Sequence, residues 1–435
     1  MNQIVFQLAT SEVEEEKKSA LKKLFFAIIG WPSLNIEHSE AARAIKVFIF
    51  YGQLLLVYQN GHDISSKPTK WFTISTISVD FFIYLTLIRL IVNYFINDSI
   101  ILVCLGDVLS GWDNGYPIGI LSIIGITCLG TFRSFSCYQA RNGSLAWFRV
   151  IEEASIHGFT SKILNMKTVH LMKFRQQIVF LSRQIIGASI VPTTIWIACY
   201  VYLLYSSPLT YLSIQSPLYF ICFVSWQLIS IIAIIFIVPQ VAWFAIMIIM
   251  SICYLNKRIH SVYDELSSLS NINFVQFYRL HHKQVSVLNE IDYINNLLRY
   301  IFLVGYYAIG LSGEVTLLYS YLNLFDMPIA DRGLWIVGSN TIFQIGLASY
   351  LAGKILVKHS YSYYQKLNQK NFKLPFRVKL KFLELLNRLD SPNNGFWIGD
   401  VFIMDNLSFV QYCLETCSNM MLFICNLPAL VKANS

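Results

Sequence analysis

Between Asp400 and Leu427 the sequence reads DVFIMDNLSFVQYCLETCSNMMLFICNL, an apolar stretch interrupted by acids, amides and hydroxyls. Asp405, Tyr412, Asn419 and Asn426 recur every seven residues, and Ser408 and Glu415 fall at interleaved positions. Residues three and four apart share a helix face, so these side chains form one polar stripe, while Phe409, Cys413, Met420, Phe423 and Ile424 cover much of the rest. Such a stripe is stable in hydrocarbon only against protein or water. Two arrangements meet that condition: a helix hydrogen-bonded into a bundle, or a helix lining an aqueous pore. In a pore, a ring of Glu415 carboxylates attracts cations, and Asp400 and Asp405 concentrate them at one mouth. Asn419 and Asn426 line the other half, with Leu422 between them as an apolar constriction.

Elsewhere, aromatic and amide side chains mark a candidate ligand pocket. Trp196 and Tyr200 lie four apart, Trp226 precedes Gln227, and Asn340 and Gln344 lie four apart. Small-molecule pockets are mostly apolar with a few placed polar groups, although the same spacing also fits ordinary packing. The shortage of carboxylates around these residues argues against a site for polyols or sugars. Asp80 and Arg89, nine apart, face opposite sides of one helix and cannot pair; Arg89 is placed to snorkel, and Asp80 requires another partner. Glu314 reads as a hydrogen-bonding or gating residue. No serine–histidine–acid arrangement or cysteine–histidine metal spacing occurs. The expectation is a non-enzyme with no catalytic residues, metal or cofactor, and with free cysteines.

The elements that position these residues are membrane helices. Of 435 residues 55% are hydrophobic and only 13% charged, whereas soluble domains sit near a quarter charged. Stretches of about 20 apolar residues occur near Trp71–Ile96, Pro117–Cys137, Ile185–Tyr205, Leu218–Tyr254, Tyr300–Leu322, Leu334–Leu356 and Val401–Leu427. Residues 138–184, 255–298 and 357–399 are rich in Lys and Arg; 97–116 and 206–217 have none, and 323–333 only Arg332. By the positive-inside rule the basic loops are cytoplasmic. That makes an all-α polytopic protein with seven transmembrane helices, a cytoplasmic N-terminus and an external C-terminus. Topology therefore accounts for the net charge of +8, with no need for nucleic acid. Glu12, Glu14, Glu15 and Glu16 precede any apolar run, so no cleavable signal peptide is expected.

Four regions follow from this reading. Residues 1–70 form a cytoplasmic N-terminal region, in which Ala44–Tyr58, basic on both flanks, is an interfacial or packed helix. Residues 71–356 form a six-helix bundle, 357–399 a cytoplasmic amphipathic helix, and 400–435 the last helix with an external end. The sequon Asn97-Asp98-Ser99 falls in an outer loop and marks Asn97 as a glycosylation site; Asn142-Gly143-Ser144 and Asn406-Leu407-Ser408 do not. The fourth span, at about 55 Å, outruns a hydrocarbon core of about 30 Å. The following stretch, Ile259–Tyr300, is also helical in pattern, as is Phe376–Leu389, whose Val378, Phe382, Leu385, Leu386 and Leu389 share a side. Such extensions need partners for their apolar faces, which an assembly domain or a membrane surface would supply.

The end of the chain resembles the insect chemoreceptor superfamily, the gustatory and odorant receptors. Their last helix carries Thr-Tyr, five hydrophobic residues, then Gln-Phe. Here the register is Asn419-Met420, Met421-Leu422-Phe423-Ile424-Cys425, Asn426-Leu427, with the spacing kept and the four named positions substituted. Asp292-Tyr293-Ile294-Asn295-Asn296-Leu297-Leu298 and Phe396-Trp397-Ile398-Gly399 are also similar to that family, and the likeness covers mainly residues 255–427. The resemblance implies a tetrameric ligand-gated cation channel, with one last helix per subunit around a central pore. It further implies a cytoplasmic helical anchor and a ligand pocket in the outer half of the bundle. The expectation is a taste-type receptor in the plasma membrane of chemosensory cells, homo- or hetero-tetrameric, meeting a tastant or odorant, permeating cations and membrane lipids. The alternatives are an odorant-receptor subunit needing a co-receptor, a seven-helix G-protein-coupled receptor, whose charge pattern would be reversed, and a transporter, whose inverted repeats are not found.

Overall fold

The computed structural model describes residues 32, 36–57, 69–112, 114–268, 274–325, 328–353, 358–368, 375–390, 395–404 and 406–434. The long helices are α1 (His38–Leu54), α2 (Lys70–Phe95), α3 (Gly115–Arg141), α4 (Thr168–Ser206), α5 (Pro217–Ser268), α6 (Phe274–Tyr321) and α7 (Pro328–Ala352). They are followed by α8 (Lys358–Asn368), α9 (Phe376–Asp390), a hairpin of β1 (Trp397–Ile398) and β2 (Phe402–Ile403), and α10 (Asn406–Asn434). Helices α2–α6 are long and apolar enough to cross a membrane. The apolar window of α6 is 72% buried, against 17–28% in the other four. Helix α6 is therefore the central post: α3, α5, α7 and α10 pack on it, α4 packs on α5, and α2 closes against α3 and α5.

Length sets where the helices go. Helix α5 has 52 residues and α6 has 48, or roughly 70–80 Å each, more than twice a hydrocarbon core. Ile259–Tyr300 is thus no helix of its own: its first part completes α5, and residues from Phe274 onward belong to α6. Pro192 and Pro239 both lie inside helices. At the basic end the two extensions are tied by Arg258 Nε to Glu290 (3.1 Å) and Tyr254 OH to Glu290 (2.6 Å), while Arg258 Nη1 holds the Asn165 carbonyl at 2.8 Å. Leu385, Leu386 and Leu389 of α9 are buried and Phe382 lies 5.8 Å from Phe277 of α6; Arg388 binds Asn289 and Asp292 of α6 at 2.8 and 2.6 Å.

Helix α1, expected from Ala44 to Tyr58, runs from His38 to Leu54 and is packed into the bundle. Ala41, Ile45, Phe48 and Gly52 face inward. Trp243 of α5 stacks on Phe48 at 5.0 Å and donates Nε1–H to its carbonyl at 3.1 Å. A Cβ on Gly52 would stand 2.8 Å from that indole, so glycine permits the approach.

Packing supplies the partner that Asp80 requires and corrects two further expectations. Asp80 is partnered by Arg133 of α3, whose side chain is wholly buried. Arg89 does not snorkel: it is buried, its Nη1 donates to the Gly106 carbonyl at 3.4 Å, and its guanidinium lies 5.7 Å from the Trp226 ring centroid. The last helix begins at Asn406 rather than near Asp400, because residues 397–403 form the hairpin. Gly399 turns it with φ +58° and donates its N–H to the Arg299 carbonyl at 2.8 Å. Trp397 N–H is held by Asn295 Oδ1 at 2.7 Å, and Asp400 by Arg299 and Tyr300 at 2.8 and 2.9 Å.

Candidate ligand cavity and the polar face of the last helix

A cavity of about 200 Å³ lies between α2, α3, α4, α5, α6 and α7. On the same kind of measure one water needs roughly 10–15 Å³, so it has room for a small organic molecule. Its walls are mainly Leu, Ile and Val, among them Ile118, Leu121, Leu203, Ile237 and Val315. Much of the polar lining is already spent on its own helix: Thr86, Ser230, Ser312, Thr316 and Thr341 donate to carbonyls three or four residues back at 2.7–3.0 Å. This habit of Ser and Thr in helices leaves them weak competitors for a ligand. Ser122 Oγ lies 2.7 Å from Tyr319 OH, which donates to the Ile118 carbonyl at 2.9 Å.

The other polar groups gather under the loop after Ser99–Cys104. Tyr200 OH donates to Gln227, Gln227 Nε2 to the Gly106 carbonyl at 2.8 Å, and Arg89 shares that carbonyl. Gly106 has φ +67°, and a Cβ there would lie 2.6 Å from Trp226 Cβ; only glycine brings the carbonyl to this point. Asp107 is buried and satisfied by Asn93 Nδ2 (3.2 Å) and the Ser110 amide (2.9 Å). The arrangement suits a compact, mostly apolar molecule with one hydrogen-bonding group.

Of the sequence-selected pocket residues, Trp196, Tyr200 and Gln344 line this cavity. Gln227 reaches it through Tyr200, Trp226 lies behind it over Arg89, and Asn340 is exposed. Arg89, Ser122, Gly125 and Tyr319 also line it. Nothing in their local spacing separates them from packing residues; only Arg89, a charge inside an apolar run, carried a signal.

Helix α10 packs on α6 and α7, and its stripe is divided between two environments. Ser408 and Tyr412 are buried, and Asn419 is half-buried. Ser408 Oγ donates to the Ile403 carbonyl at 2.7 Å, Tyr412 packs at 5.0 Å on Tyr306, and Asn419 Nδ2 lies 3.2 Å from Glu314. Glu314 is therefore a hydrogen-bonding partner that joins α6 to α10. Glu415, Leu422 and Asn426 are exposed, as are Gln411 and Ser418. Gln411 Nε2 bonds Glu415 at 3.1 Å and Asn426 Nδ2 bonds the Leu422 carbonyl at 2.8 Å. Asp405 lies outside the described residues.

Comparison with solved structures places this architecture. Two structures of the insect olfactory receptor OR5 from Machilis hrabei superpose on it. One, in complex with eugenol, has TM-score 0.55 at 10% identity over 88% of this chain and 99% of the receptor. The other has TM-score 0.57 at 10% identity over 87% and 97%. This chain has the insect olfactory receptor fold. No family model matches the sequence, and no curated protein matches it. These structural neighbours are receptors, not enzymes. Among the described residues no three His, Cys, Asp or Glu side chains gather as metal ligands. Asn97 is exposed just beyond α2, where Asp98 caps the next short helix through the Ile100 amide at 2.8 Å.

Proposed function

We propose that this chain is a chemosensory receptor of the insect chemoreceptor superfamily, a taste-type subunit of a tetrameric, ligand-gated, non-selective cation channel. The observation that carries the proposal is the pairing, on the insect olfactory receptor fold, of an apolar cavity between α2–α7 with a polar face on α10. That face, from Gln411 through Glu415 and Ser418 to Leu422 and Asn426, is left uncovered by the chain's own bundle. A charged group facing lipid is unfavourable, so a fourfold arrangement placing this face on a shared aqueous axis accounts for it. Seven helices, α2–α7 and α10, cross the plasma membrane of a chemosensory cell, with the basic end in the cytoplasm. Phe376, Leu380 and Leu383 of α9 are 76%, 52% and 52% exposed, an apolar edge suited to neighbouring subunits.

The cavity takes a small, mostly apolar tastant or odorant, consistent with the eugenol held by one structural neighbour. That both neighbours are olfactory receptors favours, as a second reading, an odorant-type subunit that needs a co-receptor. Expression of the chain alone, challenged with a panel of small aromatic alcohols beginning with eugenol, separates the readings. Agonist-evoked cation current from the chain alone supports a self-sufficient taste-type channel; current only with an added co-receptor supports the second. Silence in both settings, with surface expression verified and the panel extended across tastant classes, would refute the channel proposal.

A further inference from the structure

Arg89 is a buried charge with more donors than partners. On α2, Val79, Ile83, Thr86, Arg89 and Asn93 recur at three- and four-residue steps and all are buried, so the helix carries the guanidinium into the bundle instead of toward water. Arg89 is 4% exposed and lines the cavity between α2–α7. A guanidinium has donors on all three nitrogens and no acceptor. Among the described residues it makes one hydrogen bond here, from Nη1 to the Gly106 carbonyl. At 3.4 Å that bond is long, and Gln227 Nε2 already holds the same carbonyl at 2.8 Å. Nε is sealed in protein without a partner. Nη2 also bonds none of the described residues, but it is not sealed: it remains open to a water-sized group. A buried donor left unmade is costly, and more so on a charged group, so a ligand that supplies an acceptor at Nη2 gains what the protein leaves unsatisfied.

The opposite charge in the same wall is Asp107, and it is spent elsewhere. Its carboxylate accepts from Asn93 Nδ2 at 3.2 Å and from the Leu109 and Ser110 amides at 3.4 and 2.9 Å, and among the described residues it forms no ion pair with Arg89. A ligand anion would set a second negative charge beside this buried carboxylate, whereas a neutral acceptor takes the charge-assisted bond without that repulsion. Gln344, half-buried in the same wall, offers donor and acceptor alike and so selects neither. Taking the cavity as the ligand site of the receptor proposed above, we infer that it selects small neutral molecules whose polar group is a carbonyl acceptor (a ketone, aldehyde or ester) received by Arg89 Nη2. At roughly 10–15 Å³ for each water-sized group, the cavity of about 200 Å³ has room for about a dozen non-hydrogen atoms.

The test measures equilibrium binding of isotope-labelled probes to the full chain in phosphatidylcholine nanodiscs, with empty nanodiscs giving each probe's partition into lipid. Three probes share one phenylalkyl skeleton: benzylacetone, a ketone; butylbenzene, which lacks the acceptor; and hydrocinnamate, an anion. With each affinity referred to the probe's own partition, benzylacetone is expected to bind about tenfold or more tighter than butylbenzene, the scale of a charge-assisted hydrogen bond. At equal free concentration in water, hydrocinnamate is expected to bind more weakly than benzylacetone. Arg89→Met keeps the side chain's reach and removes its donors, and should reduce the preference for the ketone to about twofold or less, a change in selectivity that a merely structural arginine would not produce. The comparison of probes on the parent chain decides the matter even if Arg89→Met does not fold. Gly125→Leu, whose side chain enters the cavity, should weaken benzylacetone and butylbenzene together. Ketone and hydrocarbon bound equally, both weakened by Gly125→Leu, overturn the inference and leave the cavity as the ligand site. Binding indifferent to Gly125→Leu, or no saturable binding of any probe, removes the cavity as the ligand site and the inference with it. Hydrocinnamate binding tightest overturns the neutral class.

Discussion

Filling the cavity separates ligand recognition from folding. Gly125 of α3 lines it, and a Cβ built there meets only Val315 Cγ1 at 3.9 Å, an ordinary contact. Gly125→Leu therefore sends its side chain into empty space. Replacing a helix-interior glycine by leucine gains roughly 0.8 kcal/mol of helix propensity, and filling a void adds packing, so the variant should be at least as stable as the parent. Its four added carbons, at the roughly 10–15 Å³ that a water-sized group needs on the cavity's own measure, take up about 40–60 Å³ of a cavity of about 200 Å³. A ligand that loses contact for four of its atoms, at about 0.3 kcal/mol per atom, loses roughly 1.2 kcal/mol, close to tenfold in affinity; a rigid ligand is excluded outright. The assay pairs thermal unfolding of the detergent-solubilised protein with agonist dose–response in whole-cell recordings. The expected result is an unfolding midpoint unchanged or raised, with the half-maximal concentration raised tenfold or more. An unchanged midpoint with a dose–response shift under twofold would refute the assignment of this cavity as the ligand site.

Three other outcomes are expected. Glu415→Gln should lower unitary cation conductance roughly twofold to fourfold, as the Coulomb attraction of a nearby carboxylate in water is of order RT; unaltered conductance and divalent block would remove Glu415 from the permeation path. Breaking the Asp80–Arg133 pair with Asp80→Asn leaves a fully buried guanidinium and should cost about 3–5 kcal/mol, whereas Asp80→Leu combined with Arg133→Met should recover most of it; thermal midpoints in which the double variant is worse than Asp80→Asn would contradict this. Asn97→Gln should abolish an endoglycosidase-sensitive mass shift on gels, and a shift that survives the substitution would place the glycan elsewhere.

What could be read from the residues depended on whether local pattern or tertiary contact decides the outcome. Helices α2–α6 were legible because their apolar runs are long enough to need no partner for recognition. The boundary of α10 was not: residues 400–404 continue the apolar pattern, and it is Gly399 at φ +58°, together with bonds to Arg299 and Asn295 on α6, that folds them into a hairpin. Likewise Ile259–Tyr300 shows one helical pattern, but residues 259–268 complete α5 and residues from Phe274 onward belong to α6. Trp196 and Tyr200 stood out by residue type and spacing, a pattern that fits packing as well as a pocket wall, whereas Ser122, Gly125 and Tyr319 become cavity residues only once six helices are set around them.

The stripe on α10 shows how the two kinds of information combine. A seven-residue repeat looks like a single line, but at about 100° per residue Glu415 sits roughly 60° around the helix from Tyr412, and Leu422 roughly 80°. That rotation is enough to put the edge bearing Ser408, Tyr412 and Asn419 against the bundle and the edge bearing Gln411, Glu415, Ser418 and Leu422 outside it. Bundle bonding and pore lining, which the sequence poses as alternatives, are thus compatible on one helix. The Asn419–Glu314 contact makes the inner edge an attachment to α6, and α6 also lines the cavity between α2 and α7 through Ser312, Thr316 and Tyr319. Glu314 lies two residues from both Ser312 and Thr316, so a displacement of α6 by a ligand would act on α10 through a hydrogen bond that is already formed.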